Sequence, residues 1–334
     1  MKKISGANLG IHILEIEITT RCNLNCKHCY NRNLNNIDFP LDKFEELYNF
    51  ANKYKIWTLV ISGGEALLHP RFEEIIAFIK RTPHSFRLVL QTNGKLINQE
   101  NTIEKIKAFD LIHISFDLTE EVRLESSKNF LLSKELLKHG IKSYLFSTIH
   151  KANRYLIDDM VQKAQEVNVP IGFNVCIPTE NLDPQYLMDR LEFMKTEKKL
   201  YSLFVEGKIL RYSSPLVALF DHKKIGGKGI RGGCSAGVAA CVVSPAGELY
   251  PCPFLRTSAG NIFKVPLIDL WLNSEFFNKI RDRGLFSEPC GSCNKISYCG
   301  GCRNRALVKT GNIQGADPMC YKNQLIRIKL DARQ

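Results

Sequence analysis

The chain has 334 residues, of which 44% are hydrophobic and 24% charged, with a formal net charge of +12. This balance excludes a mainly disordered chain, and no apolar run reaches the roughly 18 residues that a membrane span needs. The length fits one or two domains with ample cores, and lysines scattered along the chain, as at Lys195, Lys198 and Lys199, do not by themselves argue for nucleic acid.

The first twenty residues do not look like an export signal, because Glu15 and Glu17 interrupt the only apolar stretch and no small-residue cleavage site follows. A cytoplasmic protein is expected, in a compartment where thiols stay reduced. From Ile11 to Pro178 short β-type runs alternate with helical ones, the pattern of a parallel α/β sheet. Strands are expected over 11–19, 58–62, 87–93, 111–117, 143–149 and 170–177, with amphipathic helices such as 41–54 and 71–81 between them. Six such units make a partial rather than a closed eight-fold barrel. Side-chain alternation puts Leu14, Ile16 and Ile18 opposite Glu15, Glu17 and Thr19; Ile112, Ile114 and Phe116 opposite His113, Ser115 and Asp117; and Ile171, Phe173, Val175 and Ile177 opposite Gly172, Asn174 and Cys176. Helices would cover the apolar faces and leave a polar lumen suited to a ligand. After Pro178 the pattern weakens into a solvated helical stretch. The Gly-rich, basic run 223–234 reads as a joint, and beyond it Leu267 to Arg281 reads as one amphipathic helix.

The 12 cysteines are unevenly spread. Cys22, Cys26 and Cys29 form CxxxCxxC directly after the first strand, eight more lie between Cys234 and Cys320, and Cys176 stands alone. In a reducing compartment such clusters are ligands rather than bridges. Three thiolates on one loop can hold three irons of a [4Fe–4S] cube and leave the fourth open. A structural zinc site would need a fourth ligand, for which only His28 is near, in an unsuitable neighbouring position. The eight C-terminal thiols suffice for two fully ligated cubes or two zinc sites, and their spacing alone leaves the metal open.

With CxxxCxxC in this position, the sequence resembles the radical S-adenosylmethionine (radical SAM) superfamily. That resemblance implies that the open iron chelates SAM, whose one-electron cleavage yields a 5'-deoxyadenosyl radical that abstracts a substrate hydrogen. Ser62, Gly63, Gly64 and Glu65, ending the second strand, look like the family's GGE motif along the SAM amino group; the glycines would allow close backbone approach and Glu65 would accept from an ammonium. Gln91, Asn93 and Ser115 resemble positions bordering SAM, and Arg123 is the candidate for a carboxylate clamp, with Lys128 competing.

The C-terminal pattern, including Gly247-x4-Cys252 and CxxCx5C, resembles the SPASM extension with two auxiliary [4Fe–4S] clusters. The resemblance implies Cys234, Cys241, Cys252 and Cys302 as ligands of one cluster and Cys290, Cys293, Cys299 and Cys320 as ligands of the other. CxxC at Cys299 and Cys302 departs from the commoner CxxxC. The expected fold is α/β: a partial (β/α)6 TIM-like barrel over 1–200, a bridging region over 201–233 and a small α+β iron-sulfur (SPASM) domain over 234–334. The first strand begins almost at once, without a leader-recognition domain, so a separate recognition protein is expected beside a flavodoxin or ferredoxin electron donor. Sulfatase-maturing relatives carry an aspartate where this chain has Pro253, and the run CGGCRNRALVKTGN is closer to enzymes of mycofactocin, pyrroloquinoline quinone and haem maturation. The expected substrate is a ribosomally made peptide, modified by crosslinking, decarboxylation or another oxidation, with no membrane or nucleic-acid partner. The alternatives are a protein side chain, a haem or sugar intermediate, an epimerisation with Cys176 as hydrogen donor, or a zinc-binding nucleic-acid protein.

Overall fold

The computed structural model describes residues 9–31, 35–97, 100–116, 123–179, 182–219, 233–320 and 322. Six parallel strands, β1 (Ile13–Glu17), β2 (Thr58–Ser62), β3 (Arg87–Thr92), β4 (Leu111–Ser115), β5 (Ser143–Ile149) and β6 (Ile171–Val175), lie side by side in chain order. Between and after them run α1 (Leu41–Lys53), α2 (Phe72–Arg81), α3 (Glu100–Ile106), α4 (Arg123–Lys138), α5 (Ile157–Glu166) and α6 (Arg190–Val205). Each strand falls inside its expected window, and pairing stops where the chain must turn into a loop above the sheet. The result is the partial barrel that the alternation implies.

The register explains the two faces, because paired residues of parallel strands point the same way. Leu14 pairs with Leu59 and Leu59 with Leu88, while Leu90 pairs with Ile112. All are fully buried in the main core, under Phe44 of α1 and Ile75 of α2. On the other face Glu15 pairs with Val60 and Gln91 with His113, which in turn pairs with Tyr144. This lumen is less polar than the alternation suggests, since Tyr144 and Phe146 close over His113. The Tyr144 hydroxyl lies 3.2 Å from His113 Nδ1. Burial, with Arg211 and Arg87 adding to it, pushes the His113 pKa down to about 3, so its ring is neutral.

Three further strands extend the sheet. β7 (Arg211–Ser213) pairs parallel with β6, inside the stretch read from sequence as bridging. At the opposite edge β8 (Ala240–Val243) pairs parallel with β1, and β9 (Leu249–Tyr250) pairs antiparallel with β8. The C-terminal region is thus built onto the barrel's own sheet; of the basic joint read over 223–234, residues 223–232 lie outside the described residues. The single helix expected over Leu267 to Arg281 is two, α7 (Leu267–Asn273) and α8 (Glu275–Arg281). Ser274 separates them, its side chain accepting from the Phe277 N–H as an N-cap. The last described helix is α9 (Arg303–Thr310).

Candidate functional site

The loop carrying Cys22, Cys26 and Cys29 leaves the C-terminal end of β1, the end at which parallel barrels gather their functional loops. The run from Ser62 to Glu65 holds it there. Ile18 N–H donates to Ser62 O, Gly64 N–H to Thr19 O and Glu65 N–H to Arg21 O, continuing the ladder up to the first cysteine. A Cβ at Gly63 would lie 2.4 Å from Thr19 O, and one at Gly64 2.3 Å from Arg21 O; Gly63 also has φ +144°. Both glycines are therefore required by the neighbouring backbone, before any ligand is considered. Glu65 is fully buried and already accepts from Thr92 Oγ1 at 2.8 Å, from Leu67 N–H at 3.3 Å and from Asn93 N–H at 2.8 Å. It fastens the ends of β2 and β3 together, and burial holds its carboxyl above the ordinary range.

The other candidates stand around this loop. Asn93 donates from Nδ2 to Asn23 Oδ1 at 2.8 Å, joining the end of β3 to the residue after Cys22. Ser115 ends β4 with its carbonyl accepting from Asn129 Nδ2 at 2.8 Å, and Gln91 lies half-buried one strand away. His28 is 5.5 Å, centroid to centroid, from the His150 ring. Ser62 Oγ donates to Glu15 Oε1 at 2.5 Å. Arg123 is the first residue of α4, and its side chain lies outside those described. Cys176 is buried just beyond β6, its N–H donating to Ile149 O.

The C-terminal thiols gather around two cavities. One, of about 150 Å³, is lined by Cys290, Cys293, Cys299 and Cys320 with Asp317 and Lys322. The other, of about 160 Å³, is lined by Cys234, Cys252 and Cys302 with Asn174, Glu197 and Arg305. Neighbouring Cys299 and Cys302 reach different cavities because Gly301, at φ +58°, reverses the chain between them; a Cβ there would strike Asp317 Cβ at 2.6 Å. Cys241 lines neither cavity and lies in the main core. Burial raises the thiols of Cys252, Cys290, Cys299 and Cys302, the last two to about 11, and Cys234 and Cys302 raise Cys252 further, as Cys320 and Cys290 do Cys299.

These donor sets fit iron-sulfur cubes. Among the described residues no three His, Cys, Asp or Glu side chains converge to hold a single metal ion. A cube takes one thiolate per iron, so its ligands surround a volume rather than a point. Desolvated thiols of this kind regain their anionic form when a metal displaces the proton. The surroundings are cationic as well: Arg303 is buried between the two cavities' thiols, stacked 4.2 Å from the Phe286 ring, with Nε and Nη2 buried and unpartnered.

Sequence reasoning missed two ion pairs that organise these sites. Arg256 reaches back from just beyond Cys252 to Glu17 of β1, with Nη1 3.0 Å from Oε2 and Nη2 2.5 Å from Oε1, and it also donates to Asn31 Oδ1 at 3.2 Å, two residues after Cys29. It is held between the rings of Tyr30 and Tyr250 at 4.6 and 4.8 Å. Glu17 is only 1% exposed and had been visible as a lumen carboxylate, but a lone arginine 239 residues away carries no local signal. The second pair, Arg305 with Asp317, is buried and bidentate, Nη2 2.7 Å from Oδ2 and Nε 3.0 Å from Oδ1. Asp317 also accepts the Cys302 N–H at 2.7 Å, so one carboxylate links the walls of both cavities.

Comparison with known proteins agrees with this geometry. Residues 16–191 match the radical SAM superfamily model, and residues 234–303 match the SPASM iron-sulfur cluster-binding domain. The chain is 27% identical to an AdoMet-dependent heme synthase of Methanosarcina barkeri, over 91% of this chain and 94% of that protein. It is 26% identical to the antilisterial bacteriocin subtilosin biosynthesis protein AlbA of Bacillus subtilis, over 91% of this chain and 70% of the other. Its fold is similar to the crystal structure of Streptococcus suis SuiB bound to S-adenosylmethionine, with a TM-score of 0.75 at 16% identity, covering 93% of this chain and 77% of that one. No helix among the described residues is long and apolar enough to cross a membrane. With cysteines, glycines and carboxylates arranged in this way and a family model matching over half its length, the chain belongs to the radical SAM superfamily, as a SPASM-containing enzyme whose cofactors are S-adenosylmethionine and [4Fe–4S] clusters.

Proposed function

We propose that this enzyme oxidatively modifies a peptide, abstracting a hydrogen from an unactivated carbon and giving a crosslinked, decarboxylated or otherwise oxidised product. In this reading Cys22, Cys26 and Cys29 hold the cluster that binds SAM, beside Gly63, Gly64, Asn93 and Ser115. Cys290, Cys293, Cys299 and Cys320 hold a second cluster, and the cavity of Cys234, Cys252 and Cys302 holds a third. The bound cofactors supply one-electron cleavage of SAM, hydrogen abstraction and a route for the substrate electron to leave. The chain's own part is to orient and to insulate. Gly63 and Gly64 seat the first cysteine loop, Asn93 pins it through Asn23, and Arg256 ties it to the segment after Cys252. That tie is the observation that carries the oxidative reading, because it joins the SAM loop to an auxiliary cavity through one side chain.

The peptide class is supported by the likeness to AlbA; the M. barkeri relative favours a second reading, a haem-precursor porphyrin. An external electron donor such as a flavodoxin or ferredoxin and a separate leader-recognition protein belong to the same proposal. Anaerobic enzyme with SAM and reductant, offered a peptide encoded beside the gene, should release 5'-deoxyadenosine and give a product lighter by two hydrogens, or by carbon dioxide and two hydrogens. Turnover of a porphyrin alone would replace the peptide reading with the second one. Zinc in place of iron, without SAM cleavage, would end both.

A further inference from the structure

Two arginines are buried among the C-terminal thiols, and their charges are met differently. Arg305 has a carboxylate of its own in Asp317, whereas Arg303, only 2% exposed, forms no ion pair among the described residues. Its Nη1 donates at 2.9 Å to the carbonyls of Ile313 and Gly315, both neutral acceptors. Its Nε and Nη2 are buried with no hydrogen-bond partner among the described residues. Asp317 is close by, but its oxygens are already taken. Oδ1 accepts from Arg305 Nε and Met319 N–H, both at 3.0 Å, and Oδ2 from Arg305 Nη2 and Cys302 N–H, both at 2.7 Å. Gly301 closes off another side, since a Cβ there would lie 3.0 Å from Arg303 Nη2.

A guanidinium keeps its charge at any working pH, and a charge taken out of water is costly unless an opposite one stands near it. The opposite charge must then come from what the neighbouring cavities hold, and Arg303 stands in the wall between them. Its chain neighbours Cys302 and Asn304 line the cavity of Cys234. Gly301 and Phe286, whose ring centre is 4.2 Å from the guanidinium carbon, line the cavity of Cys290. Burial pulls the Arg303 pKa below its ordinary range, while Cys234 from one cavity and Cys290 from the other work against that fall. Thiolate-bound cubes are anions, and each electron taken up adds one more negative charge. A fixed cation beside both cubes therefore favours the reduced form of both.

From this placement we infer that Arg303 sets the reduction potentials of the two auxiliary clusters together, its uncancelled positive charge in the shared wall holding both within reach of an electron that leaves the substrate. Arg305 does not share this role, because Asp317 neutralises it. The inference rests on the three-cluster reading above and deepens it, giving the two cavities one electrostatic control in place of two independent ones.

The test uses the full chain, reconstituted anaerobically and titrated with reductant at controlled potential under electron paramagnetic resonance. The SAM-binding cluster is recognised by the change in its spectrum when SAM is added. Three clusters give about twelve irons per chain, and a wild-type value of about eight would overturn the three-cluster reading and the inference with it. Arg303→Met removes the charge and keeps an unbranched side chain. At a fixed potential it should favour the oxidised form of both auxiliary clusters about tenfold, a fall of about 59 mV in each midpoint. The SAM-binding cluster should not move. Arg303→Lys retains the charge and should leave both auxiliary midpoints within about threefold of wild type. With twelve irons in the wild type, a shift at one auxiliary cluster only, no shift at either, or equal shifts in the two variants would overturn the inference alone. If Arg303→Met does not load its clusters, Arg303→Lys still decides: midpoints near wild type support the inference, and a tenfold change at either auxiliary cluster with the charge retained overturns it.

Discussion

Glu15 gives the lumen a pH dependence of its own. Loss of water around its carboxyl, reinforced by the Glu17 charge and opposed by the Ser62 hydroxyl and Arg256, raises its pKa to about 7. In the unfolded chain a glutamate titrates near 4.3. The folded form therefore binds the proton more tightly, and its stabilising effect is complete below about pH 4.3 and lost as pH rises through about 7. Glu15→Gln removes that loss. Denaturant unfolding of the variant should match wild type near pH 4 and exceed it by about 3–4 kcal/mol at pH 8. Equal stability at both values would show that Glu15 ionises in the fold as it does in water. The same site shows what single residues disclose in sequence. Alternation was enough to place Glu15 and Glu17 on the inner face, but the partner of Glu17 is Arg256, which only the joining of β8 to β1 brings within 3.0 Å.

The loop between β1 and α1 and the turn after β2 act as one element. Since a Cβ at Gly63 meets the Thr19 carbonyl oxygen at 2.4 Å, and its φ of +144° is strained for any L side chain, Gly63→Ala must push the cysteine loop off the end of β2. The auxiliary cavities lie in other segments. Gly63→Ala should consequently lose about four of twelve irons and all SAM cleavage, with the auxiliary clusters' spectra retained. Loss of all three clusters together would mean that the glycine supports the fold as a whole. Much of this was legible beforehand: six strands, their faces and the cysteine loops follow from period-two patterning and spacing. The elements that were not legible are those with weak local signals. β7 and β9 have three and two residues, too few to show a period. β8 reads as one more short apolar run, and its place beside β1 is a long-range matter. Ser274 lies inside the run read as one amphipathic helix, and its N-cap role divides that run in two. The SPASM resemblance groups Cys241 with Cys234, Cys252 and Cys302, whereas its register beside Leu14 puts it on the core face.

At the scale of the whole molecule, the formal charge of +12 is partly offset by what the fold buries. Cubes on three and four thiolates carry charges of about −1 and −2; with two three-thiolate sites and one four-thiolate site the assembled protein comes to roughly +8, and the buried Arg303 and Arg305 face that anionic interior. The C-terminal region also shares the barrel's hydrophobic core. Trp271 of α7 is 2% exposed, donates from Nε1 to Leu9 O at 3.0 Å, and packs edge-on against Phe277 and under Arg281 at 4.3 Å. With β8 bonded along β1, the two regions should melt as one unit. Trp271→Ala empties a large core volume at a cost of about 3–5 kcal/mol, which for a chain of this length lowers Tm by roughly 4–7 °C. Hydrogen exchange locates the effect: amides of β2 to β4 should lose protection together with those of β8, because unfolding either exposes the edge of the same sheet. Protection lost only within residues 234–320 would show two regions that unfold separately. In that case the tie through Arg256 and Glu17 would be the main mechanical link between the SAM loop and the auxiliary cavities.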